Sequence, residues 1–185
     1  MKLFRKMEIE ADEFKVGDVI AFTLKDGEEV EAMAMKQESD GMLFCLVDCL
    51  MDEEPMNRTN TTRGGYDGSA LRKKLNTQII YRFSDELREK MVAFDNGDLL
   101  MLPSEMEVFG KKIYSKVQEN GQQWEPMKLR RNRIAFRGKN GEPEWWWLRS
   151  VYSAAGFAYV SFNGCAGLIG ACYSNGIRPA FKISI

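Results

Sequence analysis

The sequence predicts an α+β fold formed by a single domain that spans residues 1–185. Strand-like segments separated by turn residues fill positions 1–50, and we expect them to form an N-terminal antiparallel β-meander. Residues 51–144 contain two main helices and an irregular excursion, because apolar residues at helical spacing give way there to polar segments. Residues 145–185 are rich in strand-forming residues and are predicted to display an irregular surface. A chain of 185 residues can bury about 70% of its unfolded surface, so one core is sufficient.

Composition excludes several classes of function. The net charge of -1 gives no reason to expect nucleic acid or an anionic membrane as a partner. One basic cluster is the exception; we interpret it as a solvated face, with a phosphate-binding patch as the alternative, and it comprises Lys128, Arg130, Arg131, Arg133, Arg137 and Lys139. Residues 1–8 contain no apolar run of seven or more, so we do not expect a secretory signal there.

The chain contains no histidine, which removes the Ser-His-Asp and Cys-His routes to an activated nucleophile and the commonest metal ligand. We therefore expect no catalytic residues, no metal and no cofactor. Cys45 and Cys49 lie four positions apart in a predicted strand, so both should face one side as buried free thiols. A zinc site that also uses Cys165 and Cys172 is the alternative, but neither pair has the C-x-x-C spacing.

Three strands are predicted in the first fifty residues, at 16–24, 30–36 and 42–50, and the turns between them carry Asp-Gly dipeptides. A polar loop follows at 51–68.

Two helices should follow the loop. Ser69 can cap a helix that buries Leu71, Leu75 and Ile79, with Lys73, Lys74 and Asn76 facing outward. Ser84 begins a second helix whose body runs over residues 87–92.

The middle of the chain is predicted to be mostly irregular. Residues 99–102 should form a short strand, and Ser104 should cap a short helix that Gly110 ends. Residues 111–144 are polar and contain several glycines and prolines, so we expect a functional segment or a surface excursion.

The last third should again be β-structure. Trp145, Trp146 and Trp147 enter a strand and are predicted to pack in the core, on alternating faces. Further strands are expected at 157–162, 167–173 and 177–185, with Asn163-Gly164 and Asn175-Gly176 as turns. Pro179 would suit an edge or a bulge of the last strand.

The feature that dominates this region is an absence of charge. No Asp, Glu, Lys or Arg occurs at the 28 positions between Arg149 and Arg178, which should happen by chance in roughly one of three thousand windows. The segment is too polar for a transmembrane helix. It is rich in Tyr, Ser, Gly and Asn, the residues that binding loops favour.

The frame around this uncharged segment resembles a known family. Trp146-Trp147-Leu148-Arg149-Ser150, followed after the uncharged segment by Gly176-Ile177-Arg178-Pro179-Ala180-Phe181, is similar to the variable proteins of diversity-generating retroelements from gut bacteria and their phages. The segment 68–76 with Phe83-Ser84 resembles the first helix of that family. The resemblance covers the chain from about residue 16 and implies a C-type-lectin-like fold, in the branch that contains formylglycine-generating enzymes.

The resemblance also implies a function, which is non-enzymatic ligand binding by a hypervariable surface. In that family, error-prone copying changes asparagine codons, which cannot become Lys, Glu, Gln, Met or Trp, and residues 151–175 contain none of these five. By this comparison the fixed positions are Phe157, Val160, Gly164, Ala166 and Ala171. The implied diversified, ligand-binding positions are Tyr152, Ala155, Gly156, Tyr159, Ser161, Phe162, Asn163, Cys165, Gly167, Leu168, Ile169, Gly170, Cys172 and Tyr173.

The expected partner is a protein or cell-surface ligand from a host or a bacterium, with no nucleic acid and no membrane insertion. Arg149 and Arg178 flank the variable segment, and we expect them to hold its ends by hydrogen bonds to backbone carbonyls or carboxylates.

Three alternatives remain. A carbohydrate-binding module, or a phage structural or adhesion module, would use the same surface without diversification. A formylglycine-generating type of enzyme would use Cys165 and Cys172 as a reactive pair.

Overall fold

The computed structural model describes residues 14–184; the segment expected to lack a secretory signal lies outside the described residues. Within this range the chain combines two five-stranded sheets and one two-stranded sheet with three short α-helices. The α+β prediction is therefore confirmed. None of the helices in residues 14–184 is long and apolar enough to cross a membrane.

Most elements follow one another with short connections, and the longest connections lie at residues 56–69, 93–104 and 110–124. The helices are α1 Ala70–Thr77, α2 Asp85–Glu89 and α3 Glu105–Phe109, with 3-10 helices at Ile79–Arg82, Glu125–Lys128 and Arg130–Arg133. The strands are β1 Val19–Thr23, β2 Glu29–Glu38, β3 Gly41–Leu46, β4 Glu53–Pro55, β5 Met91–Val92, β6 Ala135–Phe136, β7 Pro143–Glu144, β8 Trp146–Ser153, β9 Gly156–Val160, β10 Ala166–Gly170, β11 Ser174–Gly176 and β12 Ala180–Ile183.

The first sheet contains the predicted meander. Strands β1, β2 and β3 pair antiparallel, and β12 and β5 extend the sheet in the order β1-β2-β3-β12-β5. All six residues of β3 are buried, because its alternating side chains pack into two separate core clusters. The predicted extension of this strand to residue 50 is wrong. It ends at Leu46, and Cys49 forms only an isolated bridge to Arg137.

The helix starts were predicted correctly, because each depends on a local capping side chain. The hydroxyls of Ser69 and Ser84 accept hydrogen bonds from backbone N–H groups three residues on. Ser104 and Glu107 form a reciprocal capping box, and Gly110 ends α3 with a φ of 71°.

Several predicted helix and strand ends were wrong where a distant segment intervenes. Helix α2 ends at Glu89 instead of 92, since Met91 and Val92 pair with β12. Residues 99–102 form no strand; Met101 alone bridges to Ala180. Asn76 does not face outward, because its Oδ1 accepts hydrogen bonds from the N–H groups of residues 99 and 100 at 2.9 and 3.0 Å.

The second sheet has the order β10-β9-β8-β11-β4. Strand β4 was missed within the predicted loop 51–68, and the predicted turn at Asn175-Gly176 was wrong, since both residues belong to β11. Strand β11 pairs parallel to β8 and antiparallel to β4. Pro179 directly precedes β12, where it needs no ladder donor, and its carbonyl accepts a hydrogen bond from the backbone N–H of Leu46.

Trp146 and Trp147 lie in different core clusters, as the alternation of side chains along a strand predicts. Trp147 lies in the largest cluster, with Phe157 and Phe181, whereas Trp146 lies in a second cluster with Leu148 and Val160. Both are fully buried, but Trp145 is 39% exposed, so the predicted core role is wrong for this residue.

Candidate binding surface

The predicted binding residues lie on the β9–β10 hairpin and on the two segments that flank it. The hairpin turns at Asn163-Gly164, as predicted. Gly164 has a φ of 78°, and its N–H donates to the carbonyl of Ser161 at 2.8 Å. The Ser161 hydroxyl also bonds to the carbonyl of Cys165 at 2.9 Å. Strand β10 lies at the edge of the second sheet.

Most of the predicted diversified positions reach solvent. The exposed ones are Ala155, Phe162, Asn163, Cys165, Leu168, Cys172 and Tyr173. The half-buried ones are Tyr152, Tyr159, Ser161, Gly167, Ile169 and Gly170. Three of these side chains are large and substantially exposed: Phe162 at 51%, Leu168 at 42% and Tyr173 at 55%.

The predicted fixed positions have the opposite environment. Phe157, Val160, Gly164 and Ala171 are buried, and Ala166 is half-buried. The two sets of positions therefore separate by exposure along one continuous segment.

Gly156 is a correction to the predicted set. It is buried, and a Cβ at this position would lie 2.2 Å from the carbonyl oxygen of Ile169. Because the obstructing atom is backbone, no other residue fits without moving β10, so Gly156 is part of the frame and not of the contact surface.

An aromatic pair that the sequence reasoning missed borders this surface. Trp145 and Tyr159 stack with their ring centroids 5.3 Å apart and their planes at 14°. Gly167 lies opposite Tyr159 in the β9–β10 register, and a Cβ there would come within 2.4 Å of the tyrosine ring. The glycine therefore allows the tyrosine ring to lie across β10. Strand alternation places Trp145 on the face of Trp147, but it cannot reveal that the sheet is uncovered at this end.

The polar loop 57–65 forms hydrogen bonds with the main chain of the segments that carry the predicted binding residues. The N–H of Asn57 donates to the carbonyl of Ala171 at 2.9 Å, and the N–H of Thr62 donates to that of Ala154 at 3.0 Å. The side-chain oxygen of Asn60 accepts from the N–H of Cys172 at 3.1 Å. All three bonds use main-chain atoms of residues 154–172, so most side-chain changes there leave them in place. The bond to Asn60 also needs glycine at 170, because a Cβ there would lie 2.3 Å from the Asn60 oxygen.

The two arginines that flank the uncharged segment make the contacts that were predicted. Arg178 is 1% exposed and donates to the carbonyls of Leu46 and Asn132 at 2.6 and 3.0 Å. Arg149 binds both carboxylate oxygens of Glu107 at 2.7 and 2.9 Å. Burial opposes the charge of Arg149, but the Glu107 carboxylate outweighs it and raises the pKa of Arg149.

The basic cluster divides into two parts. Three of its members pair with carboxylates, as expected of a solvated face: Lys128 with Glu125, Arg137 with Glu53 and Glu144, and Lys139 with Glu31.

The other three cations, Arg130, Arg131 and Arg133, share one 3-10 helix. None of them has a carboxylate within 4.0 Å among residues 14–184. Arg130 donates to the carbonyl of Asn163 at 2.8 Å, and Arg133 donates to that of Gly164 at 3.1 Å. Arg130 and Arg133 therefore hold the hairpin turn, and neither forms an ion pair within the described residues.

The four cysteines do not assemble into one site. Cys45 and Cys49 are buried, and burial raises the pKa of Cys45 to about 11. Cys165 and Cys172 are exposed at opposite ends of β10, a five-residue strand that spans roughly 15 Å. A disulfide requires Cα atoms within about 7 Å. This separation does not fit a reactive cysteine pair, and the zinc alternative is wrong for the same reason.

No other group of three or more Cys, Asp or Glu side chains in the described part of the chain is placed to hold a metal ion. A cleft of about 550 Å³ lies elsewhere, lined by Phe94, Glu107, Arg149 and Lys182 among others. Its buried charges already pair within the protein, Arg149 with Glu107 and Lys182 with Asp40.

Comparison with known proteins gives a family but no activity. The model of a family described as a domain of unknown function (DUF6273) matches residues 40–185. That range includes both flanking arginines and the whole β9–β10 hairpin. No curated protein and no solved structure matches the chain.

Proposed function

We propose that this chain, which belongs to the DUF6273 family, is a non-enzymatic ligand-binding protein. Family membership supplies no activity, so the proposal rests on the surface of the β9–β10 hairpin and its flanking segments. The expected ligand is a protein or another component of a cell surface. Exposed aromatic and aliphatic side chains at 162, 168 and 173 favour a protein ligand, because such residues dominate protein interfaces.

The single observation that carries the proposal is the separation of positions by exposure. Thirteen of the fourteen positions that the resemblance marks as diversified are exposed or half-buried, and Gly156 is the exception. Four of the five positions marked as fixed are buried. An exchangeable binding surface requires this arrangement, because the stability of the scaffold must not depend on the residues that vary.

Contacts from other parts of the chain to the uncharged segment also support an exchangeable binding surface. Asn57, Asn60 and Thr62 hold the variable segment through its main chain, and Arg130 and Arg133 do the same at the hairpin turn. We infer that the surface is diversified by a retroelement and that the fold is C-type-lectin-like. For both inferences the support is the resemblance of the frame from Trp146 to Phe181.

The flanking DNA tests the diversification. We expect a reverse-transcriptase gene near this one, together with a near-copy of the codons for residues 151–181 that differs mainly at template adenines. If complete flanking sequence contains neither, the retroelement part of the proposal is rejected and a static binding domain remains.

A display library tests the binding surface independently of the genome. Phe162, Leu168 and Tyr173 would be randomised together, and Phe157, Val160 and Ala171 would be randomised in a matched library. We expect most members of the first library to be displayed as folded protein and most members of the second to be lost. Equal losses in the two libraries would reject the division into surface and frame.

The alternatives use the same geometry differently. A carbohydrate-binding or phage adhesion module would keep this surface but would have no repeat of its codons nearby. The enzymatic alternative is less favoured, because about 15 Å of strand separates Cys165 from Cys172.

A further inference from the structure

Strand β10 offers a free edge for hydrogen bonding. It is the outermost strand of the second sheet and pairs only with β9. At the ends of the hairpin, the N–H of Ser161 donates to the carbonyl of Cys165, and the N–H of Ala171 donates to that of Ala155. Hydrogen-bonded pairs recur at every second residue of an antiparallel ladder. The register therefore makes Gly167 and Ile169 the β10 residues that bond to β9.

The backbone groups of Ala166 and Leu168 consequently point away from β9. No residue of the described range 14–184 forms a hydrogen bond with the N–H or the carbonyl of either residue. Gly170 also points outward, but its carbonyl accepts from the N–H of Tyr173 at 3.2 Å. Ala166 and Leu168 thus present two donors and two acceptors, and Gly170 adds a third donor, in the alignment of an unfilled antiparallel strand.

This edge lacks the protection that the opposite edge of the same sheet has. Strand β4 carries Glu53, Glu54 and Pro55, and edge strands are commonly protected from pairing by charge and proline. Strand β10 has the sequence Ala-Gly-Leu-Ile-Gly, with no charge and no proline. An edge that had only to avoid strand addition would carry charged residues or proline, and the β10 edge carries neither.

The charge beside the edge indicates what kind of segment fits it. Arg130 reaches the start of β10, where its guanidinium lies 3.4 Å from the Sγ of Cys165. Arg131 and Arg133 belong to the same 3-10 helix, and none of the three has a carboxylate within 4.0 Å in residues 14–184. A strand that runs antiparallel to β10 would place its C-terminal end beside Arg130 and Arg133, which contact residues 163–165.

We propose that the ligand binds by adding an antiparallel strand to the free edge of β10, and that this strand is an extended, uncharged segment of a partner protein with acidic residues at its C-terminal end. This inference rests on the proposed function and specifies its mode of recognition. The backbone of β10 would supply an attraction that every residue except proline preserves. Side chains at 162, 168 and 173 would supply the specificity that varies.

Amide hydrogen exchange with a defined probe tests the proposal. The probe is a synthetic octapeptide with alternating threonine and valine over six residues, followed by two glutamates and blocked at both ends. In the free chain, the amides of Ala166 and Leu168 should exchange rapidly and those of Gly167 and Ile169 slowly. Saturating peptide should protect the first two amides at least tenfold and leave the second two unchanged.

Two variants separate backbone pairing from side-chain contact. Leu168→Pro removes a donor that the β9 ladder does not use, whereas Leu168→Ala removes the side chain and keeps the donor. We expect the proline variant to bind the peptide at least tenfold more weakly than the alanine variant. Ala166→Pro provides a second test if Leu168→Pro does not fold, as judged by circular dichroism. A control peptide with two lysines in place of the glutamates should also bind at least tenfold more weakly.

Three results would overturn the inference. The first is no protection at about 5 mM peptide, a concentration that would reveal even millimolar affinity. The second is equal loss of binding in the proline and alanine variants. The third is protection that rises with protein concentration in the absence of peptide, since it would make a second copy of this chain the occupant of the edge.

Failure of this inference can be distinguished from failure of the proposed function. A codon repeat in the flanking DNA together with an unprotected β10 edge would remove only the strand-addition mode. Protection of the edge without any repeat would remove only the diversification.

Discussion

Trp146→Ala should destabilise the chain far more than Leu168→Asn, although the two positions lie in the same sheet. Trp146 is fully buried, and its indole N–H donates to the carbonyl of Arg133 at 2.9 Å. Removing a buried tryptophan costs about 3–5 kcal/mol. The Arg133 carbonyl also loses its donor, and the Arg178 guanidinium loses a ring 4.8 Å away. We expect a total loss of about 5 kcal/mol, since such contributions do not simply add.

The expected effect at Leu168 is several times smaller. This side chain is 42% exposed, and complete burial of a leucine stabilises by about 1.5–3 kcal/mol. The substitution to asparagine should therefore cost about 1 kcal/mol. For a chain of this length each kcal/mol changes the Tm by about 2–4 °C, so the expected shifts are roughly 10–20 °C for Trp146→Ala and about 2–4 °C for Leu168→Asn.

Thermal unfolding followed by circular dichroism measures both shifts, and urea midpoints give the free energies. Tyr173→Asn is a matched control, because Tyr173 is also a large exposed residue of the predicted binding surface and should behave like Leu168. If Leu168→Asn lowered the Tm as much as Trp146→Ala, the division of the C-terminal region into a frame and an exchangeable surface would be wrong.

Three further predictions follow from individual side chains. Iodoacetamide at about pH 8 should label two thiols in the native chain and four in urea, because burial raises the pKa of Cys45 and Cys49. Rapid labelling of all four thiols in the native chain would contradict the burial of these two. The buried carboxylate of Glu105 accepts hydrogen bonds from the N–H groups of residues 113, 114 and 115. Glu105→Gln should therefore lower the free energy of unfolding by about 1–3 kcal/mol and speed proteolysis of residues 111–120. An unchanged cleavage rate would count against this anchoring. The hydrogen bond from Lys182 lowers the pKa of Asp40 from its usual value of 3.8. The pair should therefore stabilise the fold above that pH and lose this effect as the pH falls further. Below about pH 4, the urea midpoint of Asp40→Asn should depend less on pH than that of the unchanged chain.

Elements with local causes were predictable from the sequence. The three capping serines and Gly110 act within a few residues of the helix ends that they determine. The meander was equally predictable, because its strands are consecutive and its turns carry Asp-Gly dipeptides. The errors lie where residues far apart in the chain meet, as at β5, whose two residues were predicted to extend a helix but pair with β12.

The same contrast holds for the candidate binding surface. The segment itself, its lack of charge and most of its outward positions could be proposed from the sequence and its resemblance. The exclusion of Gly156 could not, because it depends on the carbonyl of Ile169 across the hairpin. The exposure of Trp145 is also a tertiary effect. Three consecutive tryptophans are chemically identical, and only the neighbouring layers decide which of them remains uncovered.

The sequence by itself determined the α+β class, the positions of most strands and helix starts, and the uncharged segment that a frame of tryptophans and arginines encloses. These features depend on side-chain chemistry and on periodicity over a few residues, which a linear chain already contains. Only the tertiary structure decided that β12 lies inside the first sheet, that Asn175-Gly176 belongs to a strand, and that β10 has a free edge. Each of these depends on which segments meet, and that is decided by the burial of the whole core.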